Sequence, residues 1–410
     1  MQALLSSKKA SLIPALLVGT LMMAGSAHAL FGEAAVPRPV VPKNNEFATK
    51  SKLAAEFLML GVTRAGTSNR TVAVGEYGHV LLSDDEGKTW RQAQSVPAKI
   101  TLTSVSFVDD KTGWAVGHDS TVIKTTDGGE TWTRQFGGKD SDNALLTVMS
   151  FDANRALALG AFNYTLETND GGTTWVERKT LIQATAPAAP AAPLAGGTAP
   201  AVPADENLQA EADKEAERKA AESGVGSAYS VSEGDDAHLH ALFTAPNNLV
   251  FVAAERGLVY RSTDSGRTFA RIETGYAGSF WGGTALADGS LIIVGMRGNI
   301  WRSVDQGMTW AKVETPGADQ SIASAIQRTD GSIVAVGLSG SLLLSTDGGK
   351  SFKIKYRDDR KGLNALMTTS DGRLIVMGEA GIADVTKEVE TLGASAAAPG
   401  PSASAAPAKQ

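Results

Sequence analysis

His238 and His240 stand two residues apart, just after Asp235 and Asp236. In a strand that spacing puts both imidazoles on one face, as a divalent metal would need. A zinc site takes three or four protein ligands, and no third ligand is evident beside the pair. The two histidines are therefore expected to open a strand, with no metal centre and no cofactor. The other candidates for chemistry follow small residues in short segments. They are Glu76 and Tyr77, His118 and Asp119, Phe162 and Asn163, Glu255 and Arg256, Met296 and Arg297, Leu338 and Ser339, and Glu379. Carboxylates about 5–5.5 Å apart would suit a retaining glycoside hydrolase. Glu76 and Glu379 are the one pair that a closed ring would bring together. Gly282-Gly283 matches no phosphate-binding pattern, and no Ser–His–Asp arrangement is suggested.

A repeat places these segments. Residues 125–132, Thr-Thr-Asp-Gly-Gly-Glu-Thr-Trp, have the form Ser/Thr-x-Asp-x-Gly-x-Thr/Ser-aromatic. Copies stand at 83–90, 168–175, 262–269, 303–310 and 345–352. The Asp can accept N–H bonds within a tight turn, the Gly can take φ > 0, and the aromatic can be buried between units. Asp85, Asp127, Asp170, Asp264, Asp305 and Asp347 recur at intervals of roughly 42 residues, with one gap about twice as long. That period, with strand-like content, marks a β-propeller blade. Seven nearly continuous apolar runs accompany the repeat: Thr71–Gly75, Gly113–Gly117, Ala156–Gly160, Leu249–Ala254, Leu291–Gly295, Ile333–Gly337 and Leu374–Gly378. Each reads as a strand buried on both faces. The expected fold is all-β, a seven-bladed propeller of four-stranded repeats. The seventh unit lacks the Asp hairpin. Either the segment near Val40 and Val41 or that at 385–392 would complete it.

The chain carries a formal net charge of −6 and no cysteine. The first weighs against nucleic-acid binding; the second excludes disulfides and thiolate metal sites. Residues 1–29 read as a leader, with Lys8 and Lys9, an apolar stretch at 10–25 and a cleavage site at Ala27-His28-Ala29. A periplasmic, soluble monomer without a membrane span is expected. The remaining divisions are an extended lead-in at 30–51, blades 1–3 at 52–182, an insertion at 183–232, blades 4–7 at 233–392 and a disordered tail at 393–410. The insertion is Ala/Pro-rich and then charged. It is expected to emerge at the end of the ring opposite the Asp hairpins, over the face that carries Arg256 and Arg297.

The Asp hairpins resemble the Asp-box, or bacterial neuraminidase, repeat. Val336-Gly337-Leu338-Ser339-Gly340 ahead of 345–352, and the looser Val116-Gly117-His118-Asp119-Ser120 ahead of 125–132, are similar to the photosystem II stability/assembly factor family. The resemblance covers about residues 55 to 386, apart from the insertion. It implies a seven-bladed, non-enzymatic assembly factor that binds a protein partner, in a membrane-protein complex. It extends to exported relatives suspected of accompanying RND-type exporters. No lipidation cysteine follows the leader, and the insertion is unusual; both set this chain apart from photosystem relatives. Sialidases and some glucanases also carry Asp boxes, so a carbohydrate-active enzyme or a lectin is the alternative. A sialidase needs three arginines to grip a carboxylate, a Tyr–Glu pair and an Asp acid. Only Arg256 and Arg297 are evident, with Tyr77 beside Glu76. The Asp-box residues themselves are expected to be structural.

Overall fold

A computed structural model describes residues 46–137, 143–178, 181 and 236–394. The expected leader, most of the lead-in, the insertion and nearly all of the tail lie outside the described residues. The rest is seven antiparallel sheets, six of four strands and one of three. Blades 1 to 7 span 59–92, 102–136, 145–177, 239–273, 280–313, 322–356 and 363–384. The first strand of each blade packs against that of the next, and the first strand of blade 7 against that of blade 1, closing the ring.

The second strands show why their sequences carry no polar alternation. In Gly113–Gly117, Trp114 and Val116 turn toward blade 3 while Ala115 turns toward blade 1. In Leu249–Ala254, Val250 and Val252 face blade 3, and Phe251 and Ala253 face blade 5. A period of two thus feeds two blade interfaces from one apolar run. The closing aromatics of the Asp hairpins join the same cores. Trp132, Trp175, Phe269, Trp310 and Phe352 each pack in the interface with the preceding blade.

The Asp hairpins are built as their residue types require. Thr125 Oγ1 donates to Asp127 Oδ1 at 2.8 Å and accepts the Gly129 N–H at 2.9 Å. Asp127 also accepts the Thr131 N–H at 3.0 Å and its hydroxyl at 2.5 Å. The residue after the Asp has positive φ in all six copies: Glu86, Gly128, Gly171, Ser265, Gln306 and Gly348. That turn exposes a carbonyl to the preceding blade, where a basic side chain takes it. Arg70 donates to Gly128 O, Lys124 to Gly171 O, Arg155 to Ser265 O, Arg261 to Gln306 O, Arg302 to Gly348 O and Arg373 to Glu86 O, at 2.6–3.2 Å. Blade 7 has no Asp hairpin, and Arg328 reaches Gly372 O in its first hairpin instead. Each Asp hairpin is therefore a joint between blades as well as a turn.

The expectation that 385–392 supplies a fourth strand for blade 7 is corrected; the alternative, near Val40 and Val41, lies outside the described residues. Thr386–Ala394 is an α-helix, and Val385, Val389 and Leu392 pack against blade 6. The described end of the lead-in lies along blade 1: Ala48 N–H donates to Val96 O at 2.9 Å, and Lys50 Nζ donates to Ala93 O. Among the described residues blade 7 keeps three strands. Its seam to blade 1 is held by Glu86, whose carboxylate accepts the Ser370 N–H and hydroxyl at 2.9 and 2.6 Å.

The hairpin carboxyls make stability depend on acid. Burial works against the charged form of Asp264 and Asp347, yet bonds from neighbouring hydroxyls and N–H groups outweigh it and carry both to about 2. Asp127, Asp170 and Asp305 are lowered in the same way, and Asp85 is lowered foremost by the Thr89 hydroxyl. A carboxyl whose folded pKa lies below its unfolded value of about 3.9 stabilises the fold above that value. Its contribution is lost as pH falls through the folded pKa. The melting temperature is expected to hold from neutral pH to about pH 5 and to drop between about pH 4 and 2. Asp264→Ala should cost about 0.5–2 kcal/mol at pH 7 and make the acid limb shallower. An acid limb identical to that of the unaltered protein would contradict this origin.

Candidate binding face

Opposite the Asp hairpins, each second strand turns back into the third. In six blades the turn has positive φ at both central residues, the type I′ geometry that suits the twist of paired strands. Its first central residue is Tyr77, Asp119, Phe162, Arg256, Arg297 or Ser339, with φ between 53° and 58°. Non-glycine residues rarely adopt this conformation, and here six do so at equivalent positions. The turns close by bonds such as His79 N–H to Glu76 O and Asn299 N–H to Met296 O, at 3.0 and 3.1 Å. Tyr77 and Phe162 project into solvent, 58% and 66% exposed. Blade 7 differs: Gly378 pairs directly with Gly381, so Glu379 and Ala380 alone form the turn.

The sequence-predicted residues thus share one end of the ring, in distinct surroundings. Glu76 Oε1 accepts the Leu58 N–H at 3.0 Å, and Glu379 lies over Gly362. Each lies at its own blade's inner-strand entry. His118 and Asp119 form the turn of blade 2, and Leu338 and Ser339 that of blade 6. Arg256 Nη1 pairs with Asp236 at 2.8 Å. Arg297 instead lines a cleft of about 600 Å³ with Tyr276, Met296, Asn299, Trp301 and Lys312. There the Tyr276 hydroxyl donates to Met296 O at 3.1 Å, and its ring lies against Phe280 and Trp301. Burial pushes the Tyr276 phenol up. The Trp301 indole N–H is buried and has no protein acceptor. Two cations and an unmet donor suit an acidic side chain or a chain terminus. A smaller cleft of about 210 Å³ at blade 1 is lined by Phe57, Tyr77, His79 and Lys99. At the opposite end, a cleft of about 540 Å³ holds Asp109 and Asp110. Their carboxylates are spent on the N–H groups of Lys111, Thr112 and Thr67, so it is a turn-built recess.

The third partner of the histidine pair is Glu255, which sequence reasoning missed. Leu239 pairs with Ala254, so the residues flanking that pair, His238 and Glu255, meet. Glu255 Oε2 accepts the His238 N–H at 3.1 Å. Antiparallel register was the signal that could have found it. Burial pushes His240 down to about 4, so its ring is neutral at pH 7.

The likeness to known proteins follows these features. The family model described as "Photosynthesis system II assembly factor YCF48" matches residues 92–205. The photosystem II assembly protein Ycf48 of Thermosynechococcus vestitus is 33% identical over 63 residues, 15% of this chain and 18% of that protein. The matched stretch is therefore under a fifth of the relative's length. Among solved structures, YCF48 bound to D1 peptide has a TM-score of 0.56 at 16% identity, covering 80% of this chain and 92% of that one. YCF48 from Cyanidioschyzon merolae gives 0.55 at 16% identity, over 82% and 97%. The WD40 propeller domain of Doa1 gives 0.53 at 11%, over 82% and 94%. The structural likenesses speak for the fold alone. With the repeat and the seven-bladed ring already in hand, the family-model match and the curated relative mark the chain as similar to the photosystem II assembly factor-like β-propellers.

Proposed function

We propose that this propeller is an exported, non-enzymatic scaffold that binds a protein partner on the face formed by its type I′ turns. The observation that carries the reading is the cleft lined by Arg297 and Lys312, at the same end of the ring as turns that display Tyr77 and Phe162 to solvent. Exposed aromatics and arginine at rigid positions are the usual anchors of protein interfaces. A solved YCF48 with a D1 peptide lends support, since that protein shares the fold. Export rests on the leader-like residues 1–29, and the scaffold is then periplasmic. The partner is a membrane-protein complex, of which an RND-type exporter is one candidate by resemblance to exported relatives.

The test is capture of partners from envelope extracts by the full chain and by Tyr77→Ala, Phe162→Ala and Arg297→Ala. Each substitution should weaken the captured interaction about 10–30-fold without shifting the melting temperature. Unchanged capture by all three would overturn the assignment of this face. Turnover of sialosides or β-glucans that disappears in Glu76→Gln or Glu379→Gln would replace the scaffold reading with the carbohydrate-active one.

A further inference from the structure

Every blade has a bulge at the entry to its inner strand, and blade 4 is the one that places a histidine there. The register of Leu239–Ala245 against Leu249–Ala254 shifts between Leu239 and Ala241, leaving His240 as the extra residue of a bulge. Bulges re-aim side chains, and this one turns His240 toward His238, with ring centroids 6.1 Å apart. Glu255 Oε1 lies 3.5 Å from His238 Nδ1 and 3.9 Å from His240 Nε2. One ligand atom from each of the three residues falls within 4.8 Å of the others. We propose that His238, His240 and Glu255 form a binding site for a divalent transition-metal ion, with Zn²⁺ the best match.

The donor set and its surroundings carry this. Tetrahedral zinc with bonds of about 2.0–2.1 Å holds its ligand atoms roughly 3.3 Å apart. The two distances to Glu255 are close to that already. His240 Nε2 is buried and has no hydrogen-bond partner, a costly state for an imidazole nitrogen that a metal bond would relieve. Glu255 is oriented by the His238 N–H on its other oxygen, as supporting bonds orient metal-ligating carboxylates. Phe162 meets the His238 ring edge-on at 4.6 Å, and Trp281 lies 6.4 Å from His240. The neighbouring Arg256 is paired with Asp236, which moderates its repulsion of a cation.

Blade 1 is an internal control. Glu76 makes the same bond to the inner-strand entry, but Leu58 and Leu60 stand where blade 4 has His238 and His240. The fold therefore does not require imidazoles there. Three protein ligands leave a fourth position for water or another donor. This inference concerns blade 4 alone and does not rest on the protein-binding reading.

The experiment uses the full chain without an affinity tag, stripped of metal by a chelator and dialysed. Zinc chloride is titrated in by calorimetry, and cobalt chloride is followed by its visible absorption, which reports tetrahedral coordination. One ion per chain is expected. The His238→Leu/His240→Leu variant, copied from blade 1, should bind at least about tenfold more weakly and lose the cobalt spectrum. Absence of saturable binding, or undiminished affinity in the folded variant, would overturn the site. Should circular dichroism show that variant unfolded, Glu255→Gln decides: a loss of at least about tenfold supports the site, and unchanged affinity overturns it.

Discussion

Arg155→Ala is expected to lower the stability of the propeller by about 3–5 kcal/mol, the range for removing one partner of a buried charge network. Arg155 is 4% exposed. Its guanidinium donates to Glu167 Oε1 at 2.9 Å, to Ser265 O at 2.6 Å and to Gly266 O at 2.9 Å, and lies over the Phe151 ring at 4.1 Å. Arg178 joins the same carboxylate and also reaches Gly266 O. The junction so held, between blades 3 and 4, has the longest connection between consecutive blades, from Val176–Glu177 to Leu239–Ala245. A long connection restrains its ends only weakly, so side chains must hold this seam. Arg155→Lys should recover only part of the loss, because an ammonium cannot supply the fork that serves three acceptors. Urea titration of the full chain measures both variants. A change for Arg155→Ala within about 0.5 kcal/mol, the scale of an ordinary surface substitution, would show that the seam does not depend on it.

Trp114→Ala should cost a comparable 3–5 kcal/mol or so, by loss of buried area and formation of a cavity. Trp114 is fully buried in the interface between blades 2 and 3, beside Val116, Leu145, Ala156 and Leu166. Its indole N–H donates to Gln135 Oε1 at 2.9 Å, and the Lys124 ammonium sits 4.6 Å from its ring. Lys124 is the group that donates to Gly171 O in the next blade, so the substitution also loosens that joint. Trp114→Phe should retain most of the apolar area and lose chiefly the bond to Gln135. The urea midpoint should fall in the order unaltered, Phe, Ala. A Phe variant as weak as the Ala variant would shift the weight from packing to the hydrogen bond.

Much of the fold was legible because its signals are local. The bonds of an Asp hairpin span at most four residues, as from Gly129 N–H to Thr125 Oγ1, so residue types at fixed spacing reveal the turn. The second strands were legible because both faces are buried, leaving continuous apolar runs. One of the two segments expected to close blade 7 with a strand, 385–392, is helical from Thr386 on instead, and Val385, Val389 and Leu392 do stand at helical spacing. Only packing against blade 6 decides between strand and helix for so short a segment.

The sequence by itself determined the blade count, the strand order within blades, the Asp turns and the end of the ring that carries Glu76, Tyr77, Asp119, Arg256, Arg297 and Glu379. Tertiary structure alone decided what those residues meet. Arg155 finds its acceptors 110 and 111 residues away, and Arg373 reaches Glu86 O across 287. Glu255 joins His238 and His240 through strand register and a bulge, not through motif spacing. The physical reason is the same in each case. A turn is stabilised by atoms of its own few residues, whereas a joint or a binding site is assembled from groups that become neighbours only when the ring closes.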